Sequence, residues 1–236
     1  MTHQSTTSMP TQYQETQNAL IIFIKNPQLG KVKTRLAATV GNEKALEIYQ
    51  ILMAHTQKIT HKLNAEKYLY YSDFVDRNDI WPNEVYHKSV QYDGIDLGLK
   101  MAFAFRNALK ENHQKVLIVG SDCLELTNEM INKAYSELTD NEVVIGPAFD
   151  GGYYLIGFNF QTIGERSEEA LNQVFLDKQW SHGDVCNEAI EACEALKLKY
   201  AQLPTLTDVD EEKDFLKSIS SLTVEKYLPH KEFVEC

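Results

Sequence analysis

The runs Ala19-Leu-Ile-Ile-Phe-Ile24 and Val116-Leu-Ile-Val119 are continuously apolar, too short for a helix, and lack the polar alternation of a strand with one wet face. Strands covered on both faces have this pattern, and they belong to parallel sheets between layers of helices. Between and after these runs the periodicity lengthens to that of amphipathic helices. Ala45, Ile48, Leu52, Thr56, Ile59 and Leu63 recur at three- and four-residue steps after Gly41-Asn42. Leu97, Met101, Ala104, Phe105 and Ala108 form a second stripe. Met130, Ile131, Ala134 and Leu138 form a third, behind a Thr127 cap, and Val185, Ala189, Cys193 and Leu196 a fourth. Further strands are expected at 67–71, 84–90, 142–145, 153–158 and 198–203. Alternation of this kind predicts an α/β layer structure.

Neither an internal repeat nor a low-complexity linker divides the chain, so residues 19–236 are expected to form one domain behind a loose polar tail, residues 1–18. That tail carries no Lys or Arg and no apolar stretch, unlike a secretory signal. The longest apolar run is far below the ~20 residues needed to span a bilayer. Four cysteines, Cys123, Cys186, Cys193 and Cys236, include no C-x-x-C pair, which argues against a disulfide framework or zinc knuckle and for reduced thiols in a cytoplasmic protein. Twenty-three Lys and Arg against thirty-four Asp and Glu give a net charge of −11, which disfavours nucleic acid and anionic membranes as partners.

Open α/β sheets bind ligands beyond the carboxyl ends of their strands, and four segments there carry chemistry. Lys25-Asn-Pro-Gln-Leu-Gly-Lys-Val-Lys-Thr-Arg35 concentrates Lys25, Lys31, Lys33 and Arg35 in an otherwise acidic chain, with Pro27 and Gly30 shaping the loop. Such a loop suits a diphosphate, or is a solvated basic turn. It is not a P-loop, because Lys25 and Val32 stand where that motif needs Gly and Ser or Thr.

Gly120-Ser121-Asp122 delivers a carboxylate suited to a hard divalent ion such as Mg²⁺, or to capping the following turn. In Gly146-Pro-Ala-Phe-Asp-Gly-Gly-Tyr-Tyr-Leu-Ile-Gly157, Gly151 and Gly152 leave room for a ligand. Asp150 there could orient a sugar hydroxyl or act as a general base, and Tyr153 could supply a hydroxyl or a stacking face. A hairpin turn made only for folding is the alternative. Asp208 and Asp210 offer a second metal carboxylate, or a cap for the acidic segment at 208–214. His55, His61, His87, His113, His182 and His230 have no metal spacing and receive no role. Trp180 suits either an acceptor pocket or core, and Cys186 and Cys193 share a helical face as small hydrophobes.

From about residue 19 to about 216 these segments together resemble the small bacterial glycosyltransferase-like proteins with the nucleotide-diphospho-sugar transferase fold, some associated with arsenosugar biosynthesis. The likeness is carried by Lys25-x-Pro27, Gly30-x-Val32-Lys33-Thr34-Arg35-Leu36, Gly120-Ser121-Asp122, the Gly146 to Gly157 segment, Trp180-Ser181 and Asp208-Val209-Asp210. It implies a three-layer α/β/α, mostly parallel, glycosyltransferase A-type fold related to guanylyl- and cytidylyltransferases. It further implies Mg²⁺ or Mn²⁺ on Asp122 and Asp210, and nucleotide contacts from Lys25, Pro27, Gly30, Lys33, Arg35, Gln91, Gly98 and Ser121. The acceptor side would be Asp150, Gly151, Gly152 and Tyr153, with Asp150, Lys33 and Arg35 catalytic. Two departures stand out. Asp96-Leu-Gly-Leu-Lys-Met101 lacks the family's Glu-Arg pair, and the Pro usual after Asp210 is missing. The resulting expectation is a metal-dependent glycosyltransferase moving a sugar from a nucleoside diphosphate sugar to a small acceptor. The alternatives are a nucleotidyltransferase releasing pyrophosphate from a nucleoside triphosphate and a catalytically silent nucleotide-binding protein.

Overall fold

The computed structural model describes residues 17–221 except Ile95 and Ser181. Residues 1–16 and 222–236, which hold most of the expected tail and the end of the chain, lie outside the described residues. The tail boundary expected at 18 moves, because Asn18 already pairs with Lys115 at the start of the first strand.

That first strand, β1 (Asn18–Ile24), is followed by α1 (Thr34–Val40), α2 (Asn42–Thr60), β2 (Glu66–Tyr71), β3 (His87–Val90), α3 (Leu97–Lys110) and β4 (Lys115–Val119). Next come α4 (Asn128–Asp140), β5 (Val143–Pro147), β6 (Tyr153–Asn159), α5 (Phe160–Ile163), a 3-10 turn (Gly164–Arg166), α6 (Ser167–Phe175), α7 (Val185–Ala195), β7 (Tyr200–Gln202) and α8 (Glu212–Ser221). The seven strands form one sheet in the order β3-β2-β1-β4-β6-β5-β7. All neighbours are parallel except that β6 runs antiparallel to both β4 and β5. This is the expected mostly parallel α/β/α sandwich.

Strand periodicity explains the two layers. In β1, Leu20, Ile22 and Ile24 enter a core with Leu36, Leu52, Ile131 and Phe215 from α1, α2, α4 and α8. Ala19 and Ile21 enter the opposite core with Phe105, Phe160, Leu171 and Cys193 from α3, α5, α6 and α7. Each buried Leu, Ile or Phe withdraws apolar surface worth about 1.5–3 kcal/mol, so an unbroken run is what a central strand needs. Cys186 and Cys193 pack in this second core as expected.

Local chemistry sets several boundaries. The Thr127 hydroxyl accepts from the Met130 N–H, capping α4, and the Asp96 carboxylate accepts from Leu99 to cap α3. Expectation and structure differ in several places: α1 begins inside the expected 25–35 loop, the strand expected at 198–203 shortens to Tyr200–Gln202, and Leu196 lies past the end of α7. The strand expected at 84–90 is paired only from His87, because Trp81 and Tyr86 turn inward as an edge-on aromatic pair that packs the preceding loop onto the core. Leu63 lies past the end of α2, where the buried Lys67 ammonium donates to the Leu63 and Ala65 carbonyls. The segment holding α5 and α6 had no expected element, yet Phe158, Phe160 and Phe175 close around Phe105 there. No helix among the described residues is long and apolar enough to cross a membrane.

Candidate functional site

From β1 the sheet grows one way through β2 and β3, and from its neighbour β4 it grows the other way through β6. The loops that leave the carboxyl ends of β1 and β4 therefore diverge and leave a crevice at the switch point. A cleft of about 810 Å³ opens there. Its wall includes Lys25, Lys33, Arg35, Gln91, Ser121, Asp122, Asp150, Gly152, Tyr153 and Asp210 from the expected set.

The loop after β1 is held by residues without charge. Asn26, buried, accepts from the Asp73 N–H at 3.0 Å and donates through Nδ2 to the Phe74 carbonyl at 2.9 Å, pinning the loop to the segment after β2. Tyr49 of α2 accepts from the Lys25 N–H at 2.8 Å, donates to the Lys25 carbonyl at 3.0 Å and lies 3.1 Å from Ser121 Oγ. One phenol thus ties the ends of β1 and β4 together, and burial pushes its pKa up to about 12. Pro27 and Gly30 shape the loop but do not line the cleft, and Lys31 is exposed away from it.

At the end of this loop Lys33 takes a left-handed backbone conformation, φ 47° and ψ 48°, as the N-cap of α1. A non-glycine residue there costs of order 1–3 kcal/mol and needs the surroundings to impose it. Two aspartates hold the side chain it carries. Lys33 Nζ sits 2.9 Å from Asp122 Oδ1 and 3.1 Å from Asp210 Oδ1, with only 7% of the side chain exposed. Burial alone would lower the Lys33 pKa, but the two carboxylates outweigh it and hold the group well above the usual lysine range. Arg35 reaches Asp210 Oδ2 at 3.5 Å.

Tertiary contacts bring the acids together from segments far apart in sequence. The Val209 N–H donates to the Asp122 carbonyl at 2.9 Å, and the Thr207 N–H donates to Glu125 Oε2 at 2.9 Å. Both bonds fold the 206–210 segment back onto the end of β4. In the first turn of α8 the Asp214 carboxylate accepts the N–H groups of Asp210 and Glu211, while the Asp210 carboxylate faces Lys33 and Arg35. Asp208, half-buried beside them, has its pKa pushed up to about 8, chiefly by burial and then by the charges of Asp122 and Asp150, with Lys33 opposing.

The far end of the cleft is different in kind. Asp150 lies on the β5–β6 turn, where Oδ1 accepts from the Gly152 N–H at 2.9 Å, so one oxygen maintains the turn while the residue lines the cleft. Gly151, with φ 90°, faces away from the cleft: a Cβ there would stand 1.9 Å from the Gly183 carbonyl oxygen. Gly98 is likewise a packing position, since a Cβ would meet the Phe175 carbonyl oxygen at 1.9 Å and the Trp180 ring at 2.8 Å. The Tyr153 hydroxyl points to Met101 Sδ at 3.9 Å, and burial raises its pKa strongly, which leaves it a neutral, largely apolar wall. Gln91 donates to the Ile24 and Tyr70 carbonyls at 3.3 and 3.4 Å, so its carbonyl oxygen remains the group able to accept from a ligand.

Three residues of this wall, and one beneath it, had no role assigned from the sequence. Tyr49 falls on the periodic stripe of α2 and reads as core. Lys100 reads as a surface residue of α3. His182 has no metal spacing, yet lines the cleft and also stands 3.5 Å from Glu188. Asn26, beneath the loop, carries no motif of its own. Trp180 both lines the cleft and packs against the second core, and its buried Nε1 has no hydrogen-bond partner among the described residues. Ser181 lies outside the described residues.

The sheet order, the lone reversed strand and the switch-point cleft are those of the nucleotide-diphospho-sugar transferase fold. A provisionally assigned nucleotide-diphospho-sugar transferase from Desulfovibrio desulfuricans G20 superposes with a TM-score of 0.80 at 29% identity, covering 92% of each chain. The chain belongs to the family described as "Uncharacterized protein conserved in bacteria (DUF2064)", whose model matches residues 55–182. More distant structures share the fold alone. One is 4-diphosphocytidyl-2C-methyl-D-erythritol synthase from Anaerococcus prevotii DSM 20548, with a TM-score of 0.53 at 14% identity over 87% of this chain and 95% of that one. Another is Rv0371c of Mycobacterium tuberculosis H37Rv in complex with manganese, with a TM-score of 0.50 at 12% identity over 88% and 100%. No curated protein matches the chain.

Proposed function

We infer that the protein is a metal-dependent transferase that takes a nucleoside diphosphate sugar and passes the sugar to a small acceptor. The observation that carries this reading is the convergence of Lys25, Lys33 and Arg35 with Asp122, Asp208 and Asp210 in one switch-point cleft of an otherwise acidic chain. The Desulfovibrio relative's assignment as a nucleotide-diphospho-sugar transferase supports it.

The donor set fits a divalent ion. Asp122 and Asp210 each place an oxygen within 3.1 Å of the same cationic nitrogen, so they already face one cation-sized point. The described residues hold no group of three His, Cys, Asp or Glu side chains arranged for a metal. Two carboxylates completed by substrate phosphate and water are the usual arrangement for Mg²⁺, and Mn²⁺ accepts the same oxygen donors. When bound, the ion would supply Lewis-acid neutralisation of the diphosphate.

The chain's own groups do the rest. Lys25, exposed at the end of β1, and Arg35 are positioned to bind diphosphate oxygens, and a guanidinium can do so with two parallel hydrogen bonds. Negative charge grows on the departing diphosphate as the sugar bond breaks, and preorganised cations in the cleft stabilise it more than they stabilise the intact donor. Gln91 offers its carbonyl oxygen to a nucleobase amino group. On the acceptor side, Asp150 is the carboxylate available to take the proton of the attacking hydroxyl. Leu97, Met101, Tyr153, Trp180 and Val185 give that end an apolar and aromatic wall, suited to an acceptor with a flat or apolar face beside its hydroxyl.

The test incubates the protein with nucleotide sugars and, separately, with nucleoside triphosphates and sugar phosphates, in Mg²⁺ or Mn²⁺, and identifies the released phosphate species. Nucleoside diphosphate released only from nucleotide sugars is the expected result. Pyrophosphate released from triphosphates as the sole product overturns it in favour of a nucleotidyltransferase. Metal-dependent binding with no release from either substrate identifies a silent nucleotide-binding protein.

A further inference from the structure

Two carboxylates aimed at one point need a cation between them, and here the chain supplies its own. The Lys33 ammonium is in contact with both Asp122 and Asp210, at 2.9 and 3.1 Å, and its side chain is nearly closed off from solvent. An ammonium in that position obstructs a divalent ion in two ways. It occupies the oxygen lone pairs the ion would coordinate, and its charge repels a second cation at contact distance. The geometry points to Lys33 as the resident occupant of the divalent site, so that lysine and metal ion are alternative partners of one carboxylate pair and the ion enters by displacing the lysine.

This inference rests on the reading of Asp122 and Asp210 as the metal-holding pair. Lysine suits the part, being a point charge on a flexible stem that can leave without a change of fold. Arg35, 65% exposed, keeps its contact with Asp210 from outside and does not close the site. A displaced ammonium needs a new counter-ion, and a diphosphate in the same cleft provides one. Ion and diphosphate then help each other to bind, and the coupling is reciprocal. The left-handed backbone at Lys33 is consistent with a residue held in place by its partners rather than by local preference.

The test is Mn²⁺ binding without nucleotide, read from the electron paramagnetic resonance signal of free Mn²⁺ and from the melting temperature. It compares the wild type with Lys33→Met, Lys33→Gln, Asp122→Asn and Lys33→Met combined with Asp122→Asn. Removing the ammonium is expected to tighten Mn²⁺ binding by about tenfold or more, within the usual range for coupled sites, and Asp122→Asn is expected to abolish the gain. If wild type and Lys33→Met bind Mn²⁺ equally and both lose it with Asp122→Asn, the ligand assignment stands and the exchange is overturned. If Asp122→Asn changes nothing in any background, the ligand assignment falls, and the exchange with it. Lys33→Gln gives the same reading should Lys33→Met fail to fold. The wild type supplies a mutation-free check. Mn²⁺ alone should leave the melting temperature unchanged, and Mn²⁺ with ADP, CDP, GDP or UDP should raise it beyond the sum of the separate additions. A full rise from Mn²⁺ alone overturns the exchange.

Discussion

At the β1–β4 end of the cleft Asp122 and Asp210 share the Lys33 ammonium and Asp210 also reaches Arg35, whereas at the α3–β6 end, among the described residues, Lys100 has no ion pair and the buried Trp180 Nε1 has no acceptor. The first region has most of its charge matched before any ligand arrives, with Lys25 left open at its rim. Lys33, Arg35, Asp122 and Asp210 are paired with one another, the loop is pinned by Asn26, and Tyr49 locks two strand ends together. The second keeps polar capacity in reserve on an apolar wall. The contrast teaches that the two substrates of a transferase can be met by different physics. A diphosphate is always the same charged group and rewards preorganisation, because the reorganisation cost is met during folding. An acceptor is recognised by shape and apolar contact, with a few polar groups left open to orient it.

Substitutions can break this contrast, and the strongest should be Asp122→Asn. It removes half of the proposed metal pair and leaves Lys33 with one partner, so turnover should fall on the order of a hundredfold or more, the range seen when a preorganised electrostatic element is lost. Donor-sugar consumption measures it, and activity within a fewfold of wild type would remove Asp122 from the mechanism. Arg35→Ala should weaken donor binding by roughly tenfold, as expected for losing a charge-assisted hydrogen bond, with the acceptor KM unchanged in titration and kinetics. Trp180→Ala should do the reverse, raising the acceptor KM by roughly fivefold through lost aromatic contact while leaving the donor Kd alone. Parallel effects of these two variants on both substrates would show that the cleft has one undivided site. The smallest effect should come from Tyr49→Phe, which deletes one buried hydroxyl and should lower stability by about 1–2 kcal/mol, read from denaturant unfolding. Its donor affinity should fall and its acceptor KM should not.

Much of the fold was legible because it is written in short-range periodicity. The apolar runs at β1 and β4 could be nothing but covered strands, and the α2, α3 and α4 stripes specify helices that bury one face. The α5–α6 segment escaped because Phe160 and Phe175 are stabilised by Phe105 and Phe158 from elsewhere rather than by a local pattern. Among site residues, those in loops after strands were legible by position, as with Lys25, Lys33, Asp122 and Asp150. Pro27, Gly30, Gly98 and Gly151 were nominated by the same motifs, but the chain uses them for loop shape and close packing. Tyr49 and Asn26 were invisible because their roles exist only through partners distant in sequence.

The amino-acid sequence by itself determined the alternation of covered strands and amphipathic helices, and with it a cleft at the strand ends carrying local positive charge in an acidic chain. Both follow from interactions within a few residues, periodic burial and side-chain charge. Tertiary structure alone decided that Asp122 and Asp210, far apart in sequence, meet on a single lysine, and that Asp208 stands close enough to feel them. Electrostatic energy depends on distance in space, and that distance is set only when the 206–210 segment returns to the end of β4.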